Sequence, residues 1–149
     1  MYDGHLKIKI FADGADIKGI KEMNEISYIS GFTTNPTLMR KVGVKDYKAF
    51  AKEILSFIKV KPISFEVFSD DDINMIKQGM EIASWGKNVN VKIPITNSKG
   101  EFTGNVIKEL SNSNVIVNVT AIMTESQVRK AVENLNVNTA SIVSVFAGR

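Results

Sequence analysis

The sequence predicts the α/β class, built as consecutive right-handed β/α units on a parallel sheet. Three observations predict it. Stretches with the two-residue period of strands alternate with stretches of helical period, joined by short turns. Lys92, Asn118 and Ser144 recur 26 residues apart, each near the end of an expected strand. The expected strands keep one face apolar and set polar side chains on the other. At this spacing a closed eight-unit barrel needs roughly 200 residues or more. The 149 residues present accommodate about six units of the (β/α)8 TIM-barrel type, an incomplete barrel truncated after its sixth strand. An open doubly wound sheet is the alternative, and length alone favours it.

Each element has its own signal. Leu6–Asp13 alternates and ends in Ala-Asp, as a strand does, and Ile17–Glu25 follows at helical spacing. Ile29–Thr34 is short and β-rich. Asn35-Pro36 ends it and opens a helix, with Pro36 near the first helical position, where its missing N–H is no loss. Lys45–Ile58 places Phe50, Ile54, Leu55 and Ile58 on one helical stripe. Pro62 precedes a strand, Ile63–Ser69. Asp70, Asp71 and Asp72 supply a cap and an acidic first turn for a helix reaching about Trp85. Val89–Ile95 is a strand, Asn105–Leu110 falls within a helix, and Val115–Ile122 is a β-branched strand. Thr124, with Glu125 and Gln127 behind it, caps a helix to about Leu135. Thr139–Phe146 is the sixth strand. With no linker or low-complexity segment, residues 1–149 are expected to form one domain.

Composition excludes several function classes. The chain is 44% hydrophobic and 23% charged, the profile of a globular domain large enough to bury a core without staples. Its net charge of +3 comes from dispersed lysines, so no nucleic-acid partner is expected. There is no cysteine, hence no disulfide, thiol nucleophile or thiolate metal site. No apolar run approaches the ~20 residues of a membrane span, and Met1–Ile10 carries charges rather than a signal-like block. A cytoplasmic location without membrane attachment is the expectation. His5 and Trp85 read as surface and packing residues. Three consecutive aspartates do not make a coordination cage, and no metal or other cofactor is expected.

The polar faces of the strands hold the chemistry. Val115, Val117 and Val119 share one face, against Asn118 and Thr120. Val89, Val91 and Ile93 oppose Asn90 and Lys92. Phe65 and Val67 oppose Glu66, and Ile8, Ile10 and Ala12 oppose Phe11 and Asp13. Burying a lone charge is costly, so a buried Lys or Glu must pair or serve a purpose. In β/α barrels, functional groups gather at the carboxyl ends of the strands. Asp13, Asn35, Glu66, Lys92, Asn118, Thr120 and Ser144 all fit that placement. Any one of them alone reads as a solvated edge residue, a turn or β-compatible filler. Their shared position at one end of successive strands is the signal.

Six segments then align with one family: Phe11-Ala12-Asp13, Thr33-Thr34-Asn35-Pro36-Thr37-Leu38, Glu66, Val91-Lys92-Ile93-Pro94, Asn118-Val119-Thr120, and Ser144-Val145-Phe146-Ala147-Gly148-Arg149. On these residues the chain resembles the transaldolase family over nearly its whole length. The resemblance implies an αβ-barrel and a class I mechanism. Lys92 forms an imine with the C2 carbonyl of a ketose phosphate, and a dihydroxyacetone unit passes to an aldose phosphate of the pentose phosphate pathway. The apolar walls of the flanking strands are expected to help such a lysine act as a nucleophile. Asp13 is implied as acid/base at the breaking carbon–carbon bond, and Glu66 and Thr120 as holders of a proton-shuttling water. The resemblance assigns Thr33, Asn35, Asn118, Ser144 and Phe146 to substrate binding, and Arg149 to the phosphate.

The related fructose 6-phosphate aldolase carries Gln in place of Glu66 and Tyr in place of Phe146. The tyrosine hydroxyl there assists release of the three-carbon product, so the resemblance favours transfer over free cleavage. The alternatives are that aldolase and a catalytically incompetent barrel fragment that binds sugar phosphates. The family places further units beyond Arg149, and its short members are often oligomers. The expected partners are sugar-phosphate substrates and further copies of the chain, as a homo-oligomer.

Overall fold

The computed structural model describes residues 7–147. Its contacts divide into two compact units, residues 1–65 and 66–149. In the first lie β1 (Ile10–Asp13), α1 (Ile17–Asn24), β2 (Ile29–Thr33), α2 (Pro36–Lys41), α3 (Tyr47–Phe57) and nearly all of β3 (Ile63–Glu66). In the second lie α4 (Asp72–Ala83), β4 (Val89–Pro94), α5 (Gly104–Asn112), β5 (Val117–Ile122), α6 (Glu125–Asn134) and β6 (Ser141–Val145). Both follow one rule: strands adjacent in the chain are parallel neighbours in the sheet. β1 pairs with β2 and β2 with β3, and β4 pairs with β5 and β5 with β6. This is the α/β class expected: among the described residues, five strands each followed by helix and then a sixth strand, the repeat from which the (β/α)8 barrel is built.

Local sequence explains where the helices start. Asp16, Asn35, Asp46, Asp71 and Thr124 are the N-caps of α1, α2, α3, α4 and α6, and each side chain accepts a backbone N–H three residues on. Pro36 takes the first turn of α2 as expected. Thr124 and Gln127 form a reciprocal capping box. α5 is the exception. Its N-cap, Thr103, makes no side-chain cap, because its hydroxyl donates instead to the Pro94 carbonyl at 2.6 Å.

In the first unit α3 buries Phe50, Ala51 and Ile54 alongside Phe32, Ile63 and Phe65 of the strands. In the second, α4 and α5 bury Met75, Ile82, Val106, Ile107 and Leu110 with Val91, Ile93, Val117 and Val119. Apart from Ala51, each of these side chains contributes about 1.5–3 kcal/mol by leaving water. Gly79 of α4 lets this layer close up. A Cβ there would lie 2.8 Å from Leu110 Cδ1 and 3.4 Å from Val91 Cγ1.

Several strands are shorter than the sequence suggests. Leu6 and His5 lie outside the described residues. Lys7–Lys9 are exposed and not strand, and Ile8 is 68% exposed, so the apolar face of β1 begins at Ile10. β3 stops at Glu66 rather than Ser69 because the Phe68 and Ser69 amides turn to Gln78 Oε1, at 2.6 and 3.1 Å. Among the described residues no helix is long and apolar enough to cross a membrane.

Candidate active site

Glu66, Lys92, Asn118 and Ser144 occupy one polar row in the second unit. Lys92 sits in the middle of β4, where Val91 and Ile93 on either side are fully buried, and is itself only 8% exposed. Its Nζ lies 3.3 Å from Glu66 Oε2. Both partners of this ion pair are largely withdrawn from water, the arrangement a buried cation requires. The parallel register sets Asn118 directly beside Lys92, at the ~4.8 Å spacing of neighbouring strands. Asn118 is 1% exposed, and its Oδ1 accepts the Ser144 hydroxyl at 2.8 Å. Ser144 follows Asn118 by 26 residues, and Glu66 precedes Lys92 by the same interval. The unit length therefore returns a polar side chain to the same height on four successive strands.

Thr120 shares the face of Asn118, one step nearer the carboxyl end of β5. It is 2% exposed, and its hydroxyl has no hydrogen-bond partner among the described residues. A buried, unpartnered hydroxyl is costly and suits a group that holds a ligand or a water. The end of β4 is fixed by Thr103, whose hydroxyl bonds Pro94 and whose N–H donates to Ile95 O. Sequence reasoning did not single out Thr103; its signal was a threonine ahead of a helix that lacks any other cap. Phe146 is half-buried just beyond β6, and its N–H donates to Ile122 O at 2.8 Å. Arg149 lies outside the described residues.

The first unit presents a second polar group, at the carboxyl ends of β1 and β2. Asp13 and Thr33 are register partners. The Thr33 hydroxyl donates to Asp13 Oδ1 at 2.8 Å, and the Gly14 N–H donates to Thr33 O. Asp13 is exposed. Asn35 stands at the end of the same turn, and its Oδ1 accepts the Leu38 N–H at 2.9 Å. Its carbonyl is committed to capping α2, so the group it can turn to a ligand is the amide nitrogen. Beside Asp13 lies a cavity of about 320 Å³ lined mostly by apolar side chains, among them Ile20, Met23, Phe32 and Leu38.

Three aspartates follow β3 and do different work. Asp71 caps α4, and the Asn74 side chain, then its N–H, holds the Asp71 carboxyl below the ordinary carboxylate value. Asp72 begins the helix. Asp70 turns to the loop after β4, where the Ser98 hydroxyl and then the Ser98 N–H lower its pKa in the same way. Among the described residues no three His, Cys, Asp or Glu side chains converge as a metal site would require.

The sequence that builds this site matches known proteins. The profile of the family described as Transaldolase/Fructose-6-phosphate aldolase matches residues 10–149. The chain is 37% identical to a "Probable transaldolase" of Dehalococcoides mccartyi, over 95% of its own length and 62% of that protein. It is 40% identical to a "Probable transaldolase" of Clostridium acetobutylicum, and 37% identical to one of Methanococcus maripaludis, over 95% of its length and 61% of theirs. The chain thus spans about three-fifths of the length of these curated relatives. With a buried lysine paired to a carboxylate on consecutive parallel strands, and a family match that spans every element described, the chain belongs to the transaldolase/fructose-6-phosphate aldolase family.

Proposed function

We propose that the protein acts as a transaldolase, with Lys92 as the imine-forming nucleophile, within a single barrel-type domain. The observation that carries this reading is the Lys92–Glu66 pair, 3.3 Å apart and withdrawn from water between fully buried Val91 and Ile93. A lysine becomes a nucleophile only after its ammonium loses a proton, and Glu66, 3.3 Å away, is a carboxylate able to accept it. In this reading the proton passes to Glu66, directly or through a water held by the Thr120 hydroxyl. The freed amine adds to the C2 carbonyl of a ketose phosphate such as fructose 6-phosphate or sedoheptulose 7-phosphate. The carbinolamine then loses water to give the imine. Asp13, oriented by Thr33, takes the proton of the C4 hydroxyl as the C3–C4 bond breaks, and the electron pair is held in the imine as an enamine. The enamine attacks the carbonyl of an acceptor aldose phosphate, Asp13 returns the proton, and hydrolysis releases Lys92. Asn35, Asn118, Ser144 and Phe146 line the bound three-carbon unit, and Arg149 takes the phosphate. The reading sets the reaction in the pentose phosphate pathway of the cytoplasm.

Borohydride reduction with fructose 6-phosphate tests it. A mass increment on Lys92, abolished in Lys92→Ala, is the expected result; folded wild-type protein that takes up no label counts against it. Turnover should require erythrose 4-phosphate. Release of free dihydroxyacetone without that acceptor would instead identify the aldolase reaction, which the presence of Glu66 and Phe146 disfavours.

A further inference from the structure

Strand β5 does not run straight past the site. Val117, Asn118 and Val119 pair in step with Ser141, Ile142 and Val143 of β6, but the next partner of Val145 is Ile122 rather than residue 121. One extra residue has entered β5. At that point Ala121 has φ +61°, the left-handed region that a non-glycine residue rarely takes.

We propose that this bulge at Ala121 positions the Thr120 hydroxyl and Phe146. Side chains alternate along a strand, so without an extra residue Ile122 would share the face of Asn118 and Thr120. The register shows that it has left that face: Ile122 pairs with Val145, two residues on from the Val143 that pairs with Val119, so Ile122 lies on the face of Val117 and Val119. The bulge takes up one residue of the alternation. Thr120 stays on the polar face with its hydroxyl unpartnered, and Ile122 rejoins the apolar face. The shift also brings the Ile122 carbonyl opposite the Phe146 N–H, which it binds at 2.8 Å. One strained backbone residue therefore sets two side chains of the candidate site, consistent with the tendency of bulges and strained residues to lie beside functional groups. Ala121 is a positioning residue in this account, and its link to catalysis rests on the transaldolase reading.

The test compares Ala121→Gly with Ala121→Val in the full chain. Glycine accepts φ +61° freely and valine strongly resists it. The expected result for Ala121→Gly is an unchanged or raised melting temperature, with the Phe146 amide still protected from hydrogen exchange. Ala121→Val should lower the melting temperature by several degrees and lose protection at Phe146, while the Val91 and Val117 amides stay protected. Equal protection of Phe146 in both variants overturns the proposal. Borohydride trapping with fructose 6-phosphate is measured on the same samples. Glycine should trap at the wild-type rate, and folded Ala121→Val at least about tenfold more slowly. A folded valine variant that traps at the wild-type rate also overturns the proposal. A wild type that does not trap removes the imine reading instead, and the exchange pattern at Phe146 then decides the bulge.

Discussion

A lysine on a strand normally carries its ammonium out to water along an apolar stem, and Lys92 does not. Its nitrogen ends beside Glu66, and its backbone belongs to the driest stretch of β4. Replacing Glu66 with Gln removes the charge but keeps the shape. We expect the variant to fold and to form the imine about 100-fold more slowly, as loss of a positioned proton acceptor generally costs, read by the rate of borohydride trapping. The Asp13 pair depends on a different contact. Phe11 and Gly31 are register partners one layer below Asp13 and Thr33, and a Cβ on Gly31 would lie 2.3 Å from Phe11 Cε1. Gly31→Ala must push the ring aside, at a cost of about 1–3 kcal/mol, and should disturb the Thr33–Asp13 bond above it. Thermal melting and hydrogen exchange at the Gly14 amide, which bonds Thr33 O, are the two readouts. Lys92, Asn118 and Ser144 were legible in the sequence because the unit repeat returns them to one height, and Glu66 because it opposes the apolar Phe65 and Val67. The Phe11–Gly31 contact was not, since a glycine in a strand does not say which ring will lie on it. Ala121 was still less so, because alanine carries no preference for positive φ.

At the scale of elements, caps were the most legible feature. Asn35-Pro36, the aspartates before α4 and Thr124 with Gln127 all start helices where the sequence says, because a side-chain acceptor at the N-cap is a local device. Strand ends were less legible. They depend on where a neighbour's hydrogen bonds run out, as when Gln78 takes the Phe68 and Ser69 amides from the sheet. Thr124→Ala breaks the capping box of α6 and should cost about 1 kcal/mol, a fall of roughly 3 °C in melting temperature for a chain of this size. The Asp70–Ser98 tie between the loops after β3 and β4 makes a pH prediction. The Asp70 pKa is lowered from 3.8 by the Ser98 hydroxyl and N–H. A depressed carboxylate stabilises above its unfolded value, so the tie is at full strength above about pH 3.8 and is lost as pH falls through the folded value. The Ser98 amide resonance should follow that titration, and Ser98→Ala should move the Asp70 midpoint up toward its ordinary value.

At the scale of the 149 residues together, the side of β6 left unpaired among the described residues is the feature with the widest consequence. Within the described residues β6 is paired along one side, to β5, and its side chains are half-buried or exposed throughout, Val145 at 55%. A strand paired on one side offers backbone donors and acceptors to another chain, and β6 has neither a proline nor a charge within Ser141–Val145 to discourage it. Prepared as these 149 residues alone, the chain should self-associate through this strand, with a mass by light scattering that rises over a hundredfold range of concentration. Val145→Lys should shift the distribution toward the monomer. Val137→Lys, at a position 95% exposed and outside any strand, should leave it unchanged. A monomer at every concentration, or equal effects of the two lysines, would remove β6 as the contact. Association also bears on chemistry, because β6 supplies Ser144 to the row that contains Lys92. Pairing that stiffens β6 should make trapping at Lys92 faster in the associated state, and Val145→Lys should abolish that dependence on concentration while leaving the dilute rate as it is.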